Sequence, residues 1–123
     1  MRKLTLLFVV LLSVTSVFAQ EDAWVYFTDK PNAQNYIDNP LTMLTQRALD
    51  RRALHQVAVS AQDAPIHQPY IDQVTAAAGI TVKAKSKWMN AVHVRGSIES
   101  IDALSNLTFV SNIQFANRSL NTQ

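Results

Sequence analysis

Three histidines, His55, His67 and His93, are the side chains of this sequence that can change charge near neutral pH. No two of them stand four residues apart and no H-E-x-x-H string occurs, so they make no helical zinc site. The chain has no cysteine. That excludes a thiolate metal site, a cysteine nucleophile and a disulfide framework. Serines, histidines and aspartates are all present, but serine catalysis needs an oxyanion hole beside the nucleophile. No G-x-S-x-G string supplies one. Gly79 and Gly96 are the only glycines, too few for a phosphate-cradling loop, and Glu21 and Glu99 are the only glutamates, too sparse to argue for a paired acid and base. The residue types therefore argue against independent catalysis, and no cofactor or metal is expected.

Each histidine has a plainer role. His93 lies in an apolar, strand-like context that suits a packed or edge histidine. His55 follows a helical pattern, where positive charge complements the carbonyl terminus. His67 falls in a proline-flanked loop. The cluster Arg47, Asp50, Arg51 and Arg52 has two readings. Arg47 and Asp50, at i and i+3, can form an intrahelical ion pair on a solvated face, worth a few tenths of a kcal/mol. Alternatively, an arginine makes a tertiary or partner contact. Spacing favours the first. Asn106-Leu107-Thr108 and Asn117-Arg118-Ser119 have the form of glycosylation acceptors, which matters only in a host that glycosylates asparagine.

The elements that must position these residues begin after an apolar leader. Met1-Arg2-Lys3 is a short basic start, residues 4–17 are mostly apolar, and Val17-Phe18-Ala19 places small residues for a cut after Ala19. The run is shorter than the ~20 residues of a spanning helix, and no basic cluster follows it; an uncleaved anchor is the alternative. The expectation is a signal peptide over residues 1–19 and a secreted or periplasmic protein. Removing those 19 of 123 residues leaves 104. Basic residues fall from 11 to 9 against 9 acidic ones, so the mature chain is formally neutral and carries no charge argument for nucleic acid. No membrane association is expected once the leader is gone.

Ala23-Trp24-Val25-Tyr26-Phe27-Thr28 reads as a strand. Asn39-Pro40 looks like a helix start, and Leu41, Leu44, Ala48 and Leu49 recur at helical spacing, predicting a helix over about 40–54. Residues 60–65 are a polar break. An extra helical segment over about 69–78 carries Tyr70, Ile71 and Val74, with Gly79 as its C-terminal cap. Residues 80–85 alternate as a half-buried strand, Ser86-Lys87 turns the chain, and residues 88–94 read as a strand. That strand places Trp88, Asn90, Val92 and Val94 on one face and Met89, Ala91 and His93 on the other. Ser97 caps a short helix with Ile98, Ile101 and Leu104, and residues 109–115 form the last strand. The tail is polar, with only Leu120 to bury. No internal repeat appears. Without the extra segment the order is βαββαβ, an α+β ferredoxin-like fold: a four-stranded antiparallel sheet with helices on one face and the other face open. The expected core is Trp24, Leu44, Ile98, Leu104 and Ile113 or their neighbours. Fold alone does not give function.

Several strings narrow it. Thr45-Gln46-Arg47-Ala48-Leu49-Asp50-Arg51-Arg52 resembles the S-x-R-A-L-x-R-R helix in the N-terminal prodomains of secreted subtilisin-like serine proteases of the Bacteroidetes type. Asp63-Ala64-Pro65-Ile66 followed by Tyr70-Ile71 looks like their D-x-P-V … Y-I stretch. Gly79-Ile80-Thr81-Val82 and Ser86-Lys87-Trp88-Met89-Asn90-Ala91-Val92 look like their G-I-x-V … S-[RK]-W-L-N-A-V hairpin. Trp24 to Pro31 fits their start and Phe109-Val110 with Ile113 their closing strand. The likeness covers residues 24–116, with Arg47, Ala48, Leu49, Arg51, Arg52, Trp88 and Asn90 as its most characteristic positions.

The resemblance implies the ferredoxin-like fold and a non-catalytic domain over residues 20–116, with a tail over 117–123. The sequence holds no segment matching the family's catalytic domain, so no catalytic residue is carried over. What the resemblance implies is a folding chaperone and inhibitor, monomeric when free, whose partner is a subtilisin-like catalytic domain. The open sheet face would meet the protease and the tail would lie in its cleft. Lys83, Lys85, Met89 and His93 are candidate contacts on the hairpin, and Asn117, Arg118, Ser119 and Leu120 in the tail. The rival reading is a secreted structural or binding module with no protease partner, favoured by a polar open face and a tail packed back on the domain. A small hydrolase is the third, and needs a serine or aspartate beside a histidine in a pocket with oxyanion donors.

Overall fold

The computed structural model describes residues 19–121, so the expected leader lies outside the described residues except for Ala19, and so do Thr122 and Gln123. Strand β1 (Glu21–Phe27) buries alternate residues. Ala23, Val25 and Phe27 face the core, while Trp24 and Tyr26 face the other way. That is the two-residue period of a strand with one covered face. β1 is followed by two short helices, α1 (Ala33–Asp38) and α2 (Gln46–Leu54), and then by α3 (Gln68–Ala76). The hairpin β2 (Thr81–Ser86) and β3 (Ala91–Gly96) follows, then α4 (Ile98–Ala103) and β4 (Val110–Phe115). Single 3-10 turns lie at Pro40–Thr42, Ala61–Asp63, Leu104–Asn106 and Arg118–Asn121. The sheet order is β2-β3-β1-β4, and every neighbouring pair is antiparallel. This is the expected α+β ferredoxin-like arrangement.

The predicted roles of the two central helical segments are reversed. The segment set aside as extra, α3, buries Ile71 and Val74 and packs into the core with Ile101 and Leu104. The predicted core helix is broken. Pro40 starts only a 3-10 turn, and the helix restarts at Thr45, whose side chain accepts from the Ala48 amide at 3.2 Å. α2 buries none of its residues. The physical difference is side-chain type: α3 offers Ile71 and Val74 to the sheet, whereas α2 alternates its leucines with three arginines. Of the predicted core, Leu104 is fully buried and Ile98 and Ile113 pack against it. Trp24 lies on the opposite face of the sheet, and Leu44 lies outside the core cluster.

A second correction concerns the hairpin. Residues 87–90 are a turn, not strand, so Trp88, Met89 and Asn90 belong to no sheet face. Asn90 has φ +52°, a left-handed conformation that asparagine tolerates better than most residues. Its side-chain amide donates to the Phe27 and Asp29 carbonyls at 3.3 and 2.9 Å. Ser97 caps α4 as predicted, accepting from the Ser100 amide at 3.2 Å. Gly79 is not the cap of α3; Ala77 is, and Gly79 turns the chain into β2 at φ +74°. The two glycines of the chain meet here: a Cβ on Gly96 would stand 2.6 Å from the Gly79 carbonyl oxygen.

Candidate functional site: the uncovered sheet face

The helices that pack into the core, α3 and α4, lie on one side of the sheet; the other side is formed by alternate residues of the strands. Asp22, Trp24 and Tyr26 come from β1, and the register sets Arg95 opposite Asp22 and His93 opposite Trp24. On the other flank, Gln114 lies opposite Trp24 and Asn112 opposite Tyr26. Cross-strand neighbours on one face touch, and these do. The Trp24 and His93 rings lie 5.7 Å apart, and the Tyr26 hydroxyl donates to Gln114 Oε1 at 3.2 Å. The face is thus mixed, with two half-buried aromatic rings set among polar groups.

Its charged corner is Asp22. The carboxylate accepts from Arg95 Nε and Nη2 at 3.0 and 3.1 Å and from His93 Nε2 at 2.9 Å. A carboxylate only accepts, so Nε2 of His93 carries the proton in this bond. The Arg95 hydrogen bonds, then the His93 one, hold the Asp22 carboxyl below the ordinary carboxylate range, and Asp22 in turn raises Arg95. A carboxyl depressed in the folded state adds stability above its unfolded pKa of about 4, and that stability is lost as pH falls through the lower folded value. Urea midpoints should therefore fall on the acid side of pH 4, and Asp22→Asn should flatten that part of the profile; an unchanged profile would show the triad contributes nothing.

His93 and Asp22 are a histidine–carboxylate pair, but they stand on a strand face whose ladder engages the nearby backbone. The ring neighbour of His93 is Trp24, not a hydroxyl. Nothing in that arrangement resembles a nucleophile with oxyanion donors. Among the described residues, no group of three or more His, Asp or Glu gathers to hold a metal, and no helix is long and apolar enough to cross a membrane.

The other predicted contact residues scatter. Lys83 sits at the β2 bulge between Val82 and Ala84. Lys85 pairs with Val92, a core residue, and so lies on the helix-covered side rather than with His93. Met89 is at the 87–90 turn beside Trp88, which is 58% exposed with the Lys87 ammonium 4.9 Å over its ring. The tail folds back. Asn117 accepts from the Ser119 amide and hydroxyl at 3.2 and 2.8 Å, Leu120 packs against the core, and Arg118 is exposed. Asn121 exchanges two 2.7 Å hydrogen bonds with the backbone of Phe115.

The arginine-rich string divides by direction. Arg52 turns inward and clamps Asp63, Nη2 to Oδ1 at 2.5 Å and Nη1 to Oδ2 at 3.1 Å. Asp63 is 1% exposed and also accepts from the Ser60 amide at 3.0 Å. The tertiary contact, not the solvated ion pair, is therefore what this string forms: the ion pairs among the described residues do not include Arg47–Asp50, and Asp50 accepts from Gln46 instead. Arg47 and Arg51 point outward. Ala48 and Leu49 are half-buried.

Two residues not singled out by their chemistry hold this end of the molecule together. Asp63 is one. Lys30 is the other: its ammonium lies 2.6 Å from the Ala64 carbonyl, 2.7 Å from Lys87, 3.1 Å from Ala61 and 3.3 Å from Gln62. Burial, and then the Lys87 charge, lower its pKa. Both residues stood inside strings that carried the resemblance, which was the only signal in the sequence for either.

A protein-family model describes the same stretch. The peptidase S8 propeptide domain of Bacteroidota matches residues 22–123, from the Asp22 corner of the open face through the folded-back tail. No match is found among curated proteins or solved structures. That model describes a propeptide and not a catalytic domain. With more than four-fifths of its length inside that match, the chain belongs to the S8 propeptide family of Bacteroidota.

Proposed function

We propose that this chain is an exported folding chaperone and inhibitor of a subtilisin-like serine protease, and that it meets the catalytic domain through the uncovered sheet face. The carrying observation is that Trp24 and Tyr26, on an inner strand of a propeptide-family domain, face away from the core that the described residues form. Two aromatic rings with polar neighbours have the composition of an interface centre rather than of a solvated sheet face. The exposed Trp88 and Met89 at the hairpin turn add apolar surface beyond it. Export follows from the leader-like residues 1–19, and a secreted or periplasmic location belongs to this reading.

The test is inhibition of peptide hydrolysis when the purified protein is titrated into an S8 catalytic domain of the same organism. The expected result is saturable, competitive inhibition, weakened at least tenfold by Trp24→Ala, the loss typical of an interface anchor. A folded protein that neither inhibits the enzyme nor raises its refolding yield would remove this reading. One observation favours the rival module without a protease partner: the tail is docked through Asn121. A tail that enters a cleft has to release Leu120 and Asn121 first. Activation of inhibition by Asn121→Ala would favour the cleft; indifference would favour a docked tail and contact through the sheet alone.

A further inference from the structure

α2 is nine residues long, shorter than the ~12–15 residues at which isolated helices become even marginal in water. Yet it buries no residue in the domain. It is tied on by Arg52–Asp63, and a hydrogen-bonded C-terminal turn folds the following chain back along it. The Val57 amide donates to the Arg52 carbonyl at 2.8 Å and Gln56 to Ala53 at 3.2 Å, with Gln56 left-handed at φ +57°. That pattern is the Schellman closure. It opens a shallow groove with Leu44, Ala48 and Val57 as apolar lining and Arg51, Arg52 and His55 as basic lining. No carboxylate lines it. Arg52 is occupied by Asp63, while the side chains of Arg51 and Arg47 have no hydrogen-bond or ion-pair partner among the described residues. Two of the large apolar side chains left exposed among the described residues, Leu54 and Val57, lie on this helix and at its closing turn.

An apolar floor beside free guanidinium groups, with no internal anion to neutralise them, is complementary to a carboxylate placed next to a large apolar side chain. We propose that the α2 groove is a second docking surface, taking an acidic, apolar segment of the protease catalytic domain. This rests on the chaperone and inhibitor reading above, and adds to the sheet face a contact that reads charge. Arg51 supplies the fork for the carboxylate, and Val57 and Leu44 receive the apolar side chain. Arg52 holds the helix to the domain and is not the reader.

The same inhibition assay decides it, with the full protein and two exposed-site variants whose folding is checked by circular dichroism. Arg51→Glu is expected to weaken inhibition about tenfold or more at low salt and far less at high salt, because an interfacial charge pair is screened. Val57→Ser should weaken inhibition severalfold at either salt. If both variants inhibit like the parent while Trp24→Ala does not, the groove is overturned and the sheet-face reading stands. If the parent neither inhibits the enzyme nor raises its refolding yield, both readings fall together; if it raises the yield alone, the same variants are compared on that yield. If light scattering shows that Arg51→Glu dissolves a dimer and leaves inhibition unchanged, the occupant is a second copy of this chain and the proposal is wrong.

Discussion

Asp63→Ala is expected to lower the unfolding free energy by about 3 kcal/mol, the lower end of what removing one partner of a buried ion pair costs. The lower end applies because Arg52 retains 23% side-chain exposure and can rehydrate in part, whereas Asp63 is closed off at 2%. The loss has two sources. The guanidinium loses its bidentate acceptor, and the Ser60 amide loses the oxygen that closes its capping box. For a domain of this size, whose whole stability is on the order of 5–15 kcal/mol, that is a large fraction. Urea unfolding measures it, and a double-mutant cycle with Arg52→Ala assigns it: the two losses should overlap, so that the double variant is little worse than either. A loss below about 0.5 kcal/mol, the level of an exposed pair, would reduce this contact to a surface ion pair. Arg47→Ala serves as the contrast on the same helix and should change little.

Lys30→Met is expected to cost about 2 kcal/mol. The thioether keeps the apolar stem but leaves the Ala64 and Lys87 carbonyls, both in partly buried bonds, without their charged donor. Hydrogen bonds to a charged group are worth about 1.5–3 kcal/mol, and abandoned buried acceptors add their desolvation. The damage should be local as well as global. Lys30 is where the end of β1, the Ala61–Asp63 turn and the 87–90 turn converge. Amide exchange in residues 60–64 and 87–90 should accelerate ahead of the sheet amides. Uniform protection, with stability within about 0.5 kcal/mol of the parent, would show that water replaces the ammonium without loss.

These two residues mark where sequence reading stopped. Strand β1 was legible because its aromatic and β-branched run ends at Asp29-Lys30-Pro31, but which face it buries was not, since Ala23 to Phe27 are apolar or aromatic throughout and Trp24 turns away from the core. The capping serine at 97 was legible because its chemistry is local. The exchange of roles between α2 and α3 was not, because Leu41, Leu44, Ala48 and Leu49 repeat at helical spacing whether they meet a sheet or a shallow groove. Nor was the turn at 87–90. Trp88 to Val94 reads as strand by composition, but the turn with left-handed Asn90 delays its start to Ala91, and it runs on to Gly96. The open face was legible as a consequence of the fold, but its population was not. Of the hairpin candidates, His93 lies on that face, while the register shift at Val82/Ala84 sets Lys85 opposite Val92. Arg52–Asp63 joins residues 11 apart through a loop, a separation at which no periodicity informs.

The Asn121 amide, bonded to both backbone groups of Phe115, occupies hydrogen-bonding positions that a further strand would take. β4 is an edge of the sheet, and an edge is a template on which other chains can polymerise. Here its last rung is filled from within, and its first is disturbed by the register shift at Tyr26/Phe27. The opposite edge, β2, is interrupted by its own bulge and carries Lys83 and Lys85. A domain with both borders spoiled in this way can present aromatic rings on an open sheet face without recruiting its own copies into fibrils.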